Sequence, residues 1–97
     1  MDDTTPLEFY LSQNYPNPFK EKTVIKYCVA YKTRVQITVY NSEGEEIEKL
    51  VDEEKKPGTY EVVFQSAVGS RQLAIGDYFY RLQAGDYRSE KRMQLIK

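Results

Sequence analysis

The sequence predicts an all-β fold, an antiparallel β-sandwich of about seven strands of the immunoglobulin or fibronectin type III kind. Apolar and polar side chains alternate with a period of two along most of the chain, which is typical of half-buried strands. No stretch has the spacing of an amphipathic helix, and turn residues recur about every ten positions. The 97 residues, nine of them tyrosine and four phenylalanine, suffice for one domain with one aromatic-rich core.

The regular strands are expected to turn one face toward the core, because alternate side chains of a strand point to the same side. We expect the following side chains to point inward: Ile25, Tyr27, Val29, Val35, Ile37, Val39, Tyr60, Val62, Phe64, Tyr78, Tyr80 and Leu82. The last strand is predicted over residues 87–96. In it we expect Met93 and Leu95 to point inward and Lys91 to point outward.

The connections between strands are less regular. Residues 41–44 and 84–86 contain the Asn, Asp and Gly that are typical of hairpin turns. Ile47, Leu50 and Val51 indicate a short strand at a sheet edge, where the flanking charges discourage pairing with other chains. We expect a charged loop at residues 52–56, ending in Pro57 and Gly58, and an irregular loop at residues 66–76 that buries Leu73.

Two further segments are expected to fix the sandwich. The two prolines of residues 15–19 exclude a central strand or a helix interior, because proline lacks an N–H donor and fixes φ. We expect this segment to cross from one sheet to the other, with Tyr15 and Phe19 anchored on the core. Tyr78 follows a loop-closing Gly76 near the start of the penultimate strand, the position of a tyrosine corner in such sandwiches.

The composition argues against catalysis and metal binding. There is no histidine, so the commonest general base and the commonest zinc ligand are missing from the sequence. The single cysteine, Cys28, lies in an alternating run without a base to activate it, and we interpret it as a strand residue. The acidic run Asp52, Glu53, Glu54 lacks the alternate spacing and the glycine of a calcium loop. We predict no catalytic residue, no metal site and no cofactor.

Charge and hydropathy bound the partners and the domain limits. Fourteen basic and fifteen acidic side chains leave a formal net charge of −1, which gives no reason to propose nucleic acid as a partner. No apolar run approaches the roughly 20 residues that span a bilayer, so we expect no membrane insertion. Residues 1–6 are too polar and acidic for a signal peptide. We expect them to be a disordered lead-in or a linker remnant, followed by the sandwich over residues 7–97.

Six blocks of the sequence resemble one known family. In chain order they are LSQNYPNPF at 11–19, VQITVYNSEG at 35–44, LV at 50–51, PGTY at 57–60, GDYFYRLQAG at 76–85 and KRMQLIK at 91–97. In order and spacing they resemble the type A C-terminal sorting domain, which is read by the type IX secretion system of Bacteroidetes and related bacteria. Departures from the family pattern lie in turns, at Lys20 and Glu21, at residues 31–33 and at residues 68–71.

The resemblance implies a non-catalytic domain that directs an exported cargo from the periplasm across the outer membrane, to the cell surface or the medium. The partners it implies are the type IX translocon, the peptidase that processes the C-terminal signal, and a cargo domain upstream in a longer protein. Residues of the family motifs with structural roles are Tyr15, Pro16, Asn17, Pro18, Phe19, Gly76 and Tyr78. The candidates for recognition by the translocon are Lys91, Met93, Leu95, Ile96 and Lys97.

A receptor that handles many cargos is expected to read a common tail, and a terminal strand with free backbone groups would allow binding by strand addition. The alternative is that the last strand only closes the sheet. Two other functions stay open for the whole domain. One is an accessory module that binds carbohydrate or protein, for which Phe79, Tyr87 or Tyr40 would form an exposed aromatic platform. The other is a structural spacer between domains. The terminal block argues against a spacer, because we expect the fold to finish at the chain end.

Overall fold

The alternating runs form extended strands, and the described part of the chain contains no helix. The computed structural model describes residues 8–69 and 71–97; the predicted lead-in at 1–6, and Leu7, lie outside the described residues. Accordingly, no helix in these two ranges is long and apolar enough to cross a membrane. The strands are β1 (Tyr10–Leu11), β2 (Lys22–Val29), β3 (Thr33–Asn41), β4 (Glu46–Lys55), β5 (Gly58–Gln65), β6 (Ala67–Val68), β7 (Arg71–Gln72), β8 (Gly76–Ala84) and β9 (Tyr87–Leu95).

Seven of these strands form two antiparallel sheets. The smaller sheet has the order β1-β2-β5, and the larger has the order β4-β3-β8-β9. The short strands β6 and β7 pair only with each other, as a hairpin within the predicted loop at residues 66–76. The two sheets pack as an immunoglobulin-like sandwich. This confirms the predicted fold class.

The inward faces of the two sheets meet in one core. Ten of the twelve side chains predicted to point inward are buried, and the other two, Tyr60 and Val62, are half-buried and pack against the core. Leu73 is buried as expected. Aromatic pairs add specific geometry: the Phe19 and Phe64 rings meet edge to face at 6.0 Å between centroids.

The prediction for β4 was right about its position and wrong about its length. The strand lies at a sheet edge, but it runs for ten residues, and it includes most of the predicted charged loop at residues 52–56. Its register against β3 shifts twice, between Ile37 and Thr38 and between Val39 and Tyr40. Such bulges break the two-residue alternation, so a long strand has the sequence pattern of a short one followed by a loop.

Tyr78 and Gly76 form the predicted corner. The Tyr78 hydroxyl donates a hydrogen bond to the carbonyl oxygen of Ala74 at 2.6 Å, four residues upstream. Gly76 begins β8 opposite Leu95 with φ at +142°, in the region that favours glycine. The bond from tyrosine to backbone confirms the tyrosine corner.

Candidate functional site

The segment at residues 15–19 joins the two sheets, as predicted. The backbone N–H and C=O of Tyr15 exchange two hydrogen bonds of 2.9 Å with Val24 of β2, in the smaller sheet. Four residues later, Phe19 forms a parallel bridge with Leu95 of β9, in the larger sheet. The Phe19 side chain is 1% exposed, which confirms it as an anchor on the core.

The expectation that Tyr15 is anchored on the core is wrong. Its side chain is 80% exposed, because it pairs with Val24, a position on the outer face of the smaller sheet. The buried anchor is its neighbour Asn14, whose Nδ2 donates to Thr23 Oγ1 at 3.0 Å and to the Pro16 carbonyl at 3.2 Å. Thr23 Oγ1 in turn donates to the Pro16 carbonyl at 2.8 Å. A buried polar cluster therefore holds this segment, whose two X–Pro peptide bonds are cis.

Together with Gln13, this segment also covers much of the outer edge of the last strand, β9. The side chain of Gln13 donates to the carbonyl of Arg92 at 2.6 Å, and Asn17 Oδ1 accepts from the N–H of Gln94 at 3.0 Å. The Phe19 backbone accepts from the N–H of Ile96 at 2.8 Å and donates to the carbonyl of Gln94 at 2.9 Å.

The expectation of free backbone groups on the terminal strand is therefore wrong for residues 92–96. Backbone groups of alternate residues in an antiparallel strand point to the same side. The groups of Arg88 and Glu90 consequently face the same side as those of Gln94, beyond the reach of the covering segment. Strand addition at residues 92–96 would require displacement of that segment.

The five residues proposed for recognition are placed very differently. Met93 and Leu95 are 1% and 3% exposed, so they support the strand from the core. Lys91 was expected to point outward, and this is wrong. It lies opposite the buried Tyr80, on the same face as Met93 and Leu95, and is half-buried. A lysine can occupy such an edge position because its stem covers apolar surface while the ammonium reaches water. Ile96 is half-buried and Lys97 is exposed.

Three of the family blocks converge at one end of the sandwich. Because β2 and β8 begin there and β9 ends there, residues 15–22, Ser66, residues 72–76 and residues 95–97 meet around Ile96. We call this region the C-terminal end. It contains a depression of about 630 Å³ whose lining residues are Lys20, Glu21, Ser66, Gln72, Leu73, Ile75, Leu95, Ile96 and Lys97. A second depression of about 450 Å³ adjoins it on the side of Pro16 and Pro18 and shares Lys20, Glu21 and Ile96.

Sequence reasoning missed Ile75 at this site. Its side chain is 64% exposed, although the pattern around it predicted only an irregular loop. The one available signal was an isolated branched apolar residue between the buried Leu73 and the turn glycine Gly76. Alternation cannot assign such a residue to a face, because residues 73–75 belong to no strand.

The three aromatic residues proposed as a platform do not share a face. Tyr40 and Phe79 are cross-strand neighbours on the outer face of the larger sheet and line a shallow depression of about 360 Å³. Tyr87 is on the inner face, stacked on Phe9 at 5.5 Å between ring centroids. The guanidinium of Arg81 lies 5.1 Å from the centre of the Tyr40 ring. Its nitrogen is 3.1 Å from an oxygen of Glu90, so the open side of this platform is already occupied.

Two of the three acidic residues of the run in β4, Asp52 and Glu53, form ion pairs. A carboxylate oxygen of Asp52 is 2.7 Å from an Arg34 nitrogen and accepts from Gln36 Nε2 at 3.1 Å. These hydrogen bonds, that from Gln36 most of all, lower the pKa of Asp52. Glu53 lies 3.0 Å from the ammonium of Lys55, whose pKa is raised by this hydrogen bond. Within residues 8–69 and 71–97 no three acidic or cysteine side chains are grouped as metal ligands would be.

The fold and the contacts at the C-terminal end define a small immunoglobulin-like module whose motifs gather where its last strand finishes. The family model described as the secretion system C-terminal sorting domain matches residues 13–97. The chain belongs to this family and is a sorting domain of the type IX secretion system. A domain of this kind is recognised by the type IX machinery and directs export to the cell surface or the medium.

Solved structures show the same fold. The crystal structure of dimeric latent PorU from Porphyromonas gingivalis has a TM-score of 0.69 and 14% identity over 99% of this chain. This chain covers 10% of that PorU chain. The Pseudomonas fluorescens alkylpurine DNA glycosylase AlkC, bound to DNA containing an abasic site analog, has a TM-score of 0.51 and 11% identity. It is matched over 93% of this chain and 31% of its own. No curated protein sequence matches the chain.

Proposed function

We propose that this domain, over residues 7–97, is the part of a longer exported protein that the type IX translocon recognises after the protein has reached the periplasm. A single observation carries the proposal: the proline segment, the corner at residues 76–78 and the terminal block, all family motifs, meet at the C-terminal end. The β8–β9 pairing brings the corner beside the terminal block, and the bonds of the proline segment to β9 bring the third motif to the same end.

The five residues of the terminal strand act in two ways in this proposal. Ile96 and Lys97 present side chains to the translocon, because they are the two that reach the surface at the C-terminal end. Met93 and Leu95 hold the strand in place from the core, and Lys91 covers the core at the edge. The domain itself carries out no chemistry. A cargo domain upstream supplies the activity of the whole protein, and the signal-processing peptidase of the system removes the sorting domain.

The proposal is tested by export of a reporter. A fluorescent protein with an export signal is fused ahead of residues 7–97 in a host that has a type IX system, and fluorescence is measured in periplasm, on cells and in medium. We expect the fusion to reach the surface or the medium, whereas the reporter without the domain stays in the periplasm. A fusion that stays in the periplasm, while a known sorting domain is exported from the same host, contradicts the proposal.

The role of the terminal residues is tested by removal of Ile96 and Lys97. We expect export to fall severalfold, while the purified variant still unfolds cooperatively with a loss of about 2 kcal/mol, about half from the one backbone hydrogen bond removed and about half from the half-buried Ile96 side chain. Lys32→Ala, an exposed change at the opposite end, is the matched control and should be exported like the parent. Undiminished export of the shortened chain would place recognition elsewhere on the sandwich.

A further inference from the structure

The backbone just before Ile75 is held in place by two hydrogen bonds. On one side, the N–H of Leu73 donates to the carbonyl of Ser66 at 2.8 Å, and the Leu73 side chain is buried. On the other side, the Tyr78 hydroxyl holds the carbonyl of Ala74 at 2.6 Å. Ile75 is nevertheless 64% exposed, compared with 46% for Val63. A large apolar side chain that is exposed on a well-anchored backbone is typical of an interaction site.

Ile75 lines a depression whose floor is apolar. The depression of about 630 Å³ beside it is lined by Leu73, Leu95 and Ile96, and its apolar surface continues past Ile96 toward Pro16 and Pro18. This concave shape fits a side chain of a partner better than it fits a flat sheet edge. The edge of the last strand is in any case covered at residues 92–96 by the proline segment. Side chains, rather than backbone groups, therefore offer the contacts at this end.

The rim of the same depression is basic. Lys20 and Lys97 line it, Lys22 lies on the adjoining side, and Glu21 is the one acidic side chain lining either depression. Among the described residues, none of these three lysines has a carboxylate within 4.0 Å. The whole chain has a net charge of −1, so this positive rim is local. Unpaired cations around an apolar floor complement an apolar group flanked by negative charge.

We propose that this depression binds an extended segment of the secretion machinery that carries an apolar side chain flanked by carboxylates. The apolar side chain packs against Ile75 and Ile96, and the carboxylates pair with Lys20 and Lys97. This inference rests on the proposed function, because it names the chemistry of the partner that recognises the C-terminal end. It adds Ile75 and Lys20, which lie outside the terminal block, to the recognition surface.

The test uses the full 97-residue chain fused to the exported reporter, with two pairs of matched variants. Ile75→Asp places a charge on the apolar surface, and Val63→Asp makes the same change at another exposed aliphatic residue, 46% exposed on the smaller sheet. Lys20→Glu with Lys97→Glu reverses the rim, and Lys32→Glu with Lys56→Glu makes the same change in charge at the opposite end. Thermal unfolding of each purified domain shows that the fold is retained.

We expect Ile75→Asp and the Lys20/Lys97 double variant to lower export severalfold, while both controls and Ile75→Leu are exported like the parent. If the parent is exported and both test variants are exported equally well, the inference and the contact proposed for Lys97 fail, while the sorting function of the domain stands. Export lost in Ile75→Asp but kept in the double lysine variant would overturn the acidic chemistry of the partner.

Two other occupants are distinguished by separate measurements. If sedimentation shows the purified parent as a dimer and Ile75→Asp as a monomer, the surface joins two copies of this chain and the inference is overturned. Binding of the parent to vesicles of anionic phospholipid, lost in both test variants, would assign the surface to lipid instead and would also overturn it. If the unaltered fusion is not exported at all, the proposed function and the inference fail together.

Discussion

The two tyrosines of β8 that point into the core each carry a hydroxyl that binds a backbone oxygen outside the sheet. Tyr78 binds Ala74 and Tyr80 binds Ser12, both at 2.6 Å between oxygens. The first bond fixes the loop that presents Ile75, and the second ties β8 to the segment between β1 and the prolines. Through these two hydrogen bonds, β8 positions the loop before Gly76 and the segment after β1, both of which lead into the C-terminal end.

The corner predicts a small, specific loss of stability. Tyr78→Phe removes only the hydroxyl and its hydrogen bond to Ala74, so the free energy of unfolding should fall by about 1 kcal/mol. Tyr15→Phe is the same chemical change at a side chain that is 80% exposed, and it should alter stability by less than about 0.5 kcal/mol. Urea unfolding of the two variants measures both values. Equal losses would mean that the corner bond contributes nothing to the fold.

Tyr80 predicts sensitivity to alkaline pH. Burial raises the pKa of its hydroxyl to about 12, and the pKa in an unfolded chain is about 10. Between these values the unfolded chain has lost the proton and the folded chain keeps it, so rising pH favours unfolding. We expect the free energy of unfolding to fall from about pH 10 to about pH 12, and to fall less steeply in Tyr80→Phe. Urea unfolding across this range checks it; an unchanged slope in Tyr80→Phe would contradict it.

At the scale of elements, the crossing segment depends on its buried polar cluster. Thr23→Val keeps the shape of the side chain but leaves the amide of Asn14 without one acceptor and the Pro16 carbonyl without one donor. Unsatisfied buried groups of this kind cost about 1–3 kcal/mol. Thr59→Val, at an exposed position of the same sheet, should change stability by less than about 0.5 kcal/mol. Similar losses in the two variants, measured by thermal unfolding, would show that the cluster does not hold the segment.

How far the elements could be predicted depended on local periodicity. Alternation identified β2, β3 and β8 and their inward faces, because each of these strands keeps its register through the core. It failed for β4, where two bulges interrupt the register, and for Tyr15, whose face is set by pairing with Val24. Lys91, Met93 and Leu95 are alternate residues of β9, so strict alternation would have placed the Lys91 side chain inward. We expected it to point outward because lysine is charged.

The candidate site was predicted in part. The motif blocks were identified from the sequence, but their convergence was not, because it depends on contacts between residues about 80 positions apart, such as Phe19 with Leu95. The bonds from the crossing segment to the edge of β9 could not be predicted from the sequence for the same reason. Local patterns report which side of a strand is buried. They do not report which distant segment occupies its edge.

The whole molecule is elongated, with extents of 45, 22 and 21 Å. A ten-residue strand such as β4 spans about 33 Å, so the strands lie along the long axis. Phe9 contacts Tyr31 and Tyr87 at the end opposite to Lys97. Phe9, near the start of the described residues, therefore lies far from the C-terminal end. In the proposed function, this separation lets one recognition surface serve cargos of any shape.

The parallel bridge between Phe19 and Leu95 has a mechanical consequence. When the translocon grips the C-terminal end and an upstream domain resists at the other, the tension runs along the strands. The last strand is bonded on one side to β8 and on the other to the crossing segment, so tension loads these hydrogen bonds together, in shear. A strand bonded to β8 alone would have fewer hydrogen bonds to share the same load. In the proposed function, the bonds to the crossing segment add to those with β8 in resisting the unfolding of β9 while the cargo is pulled.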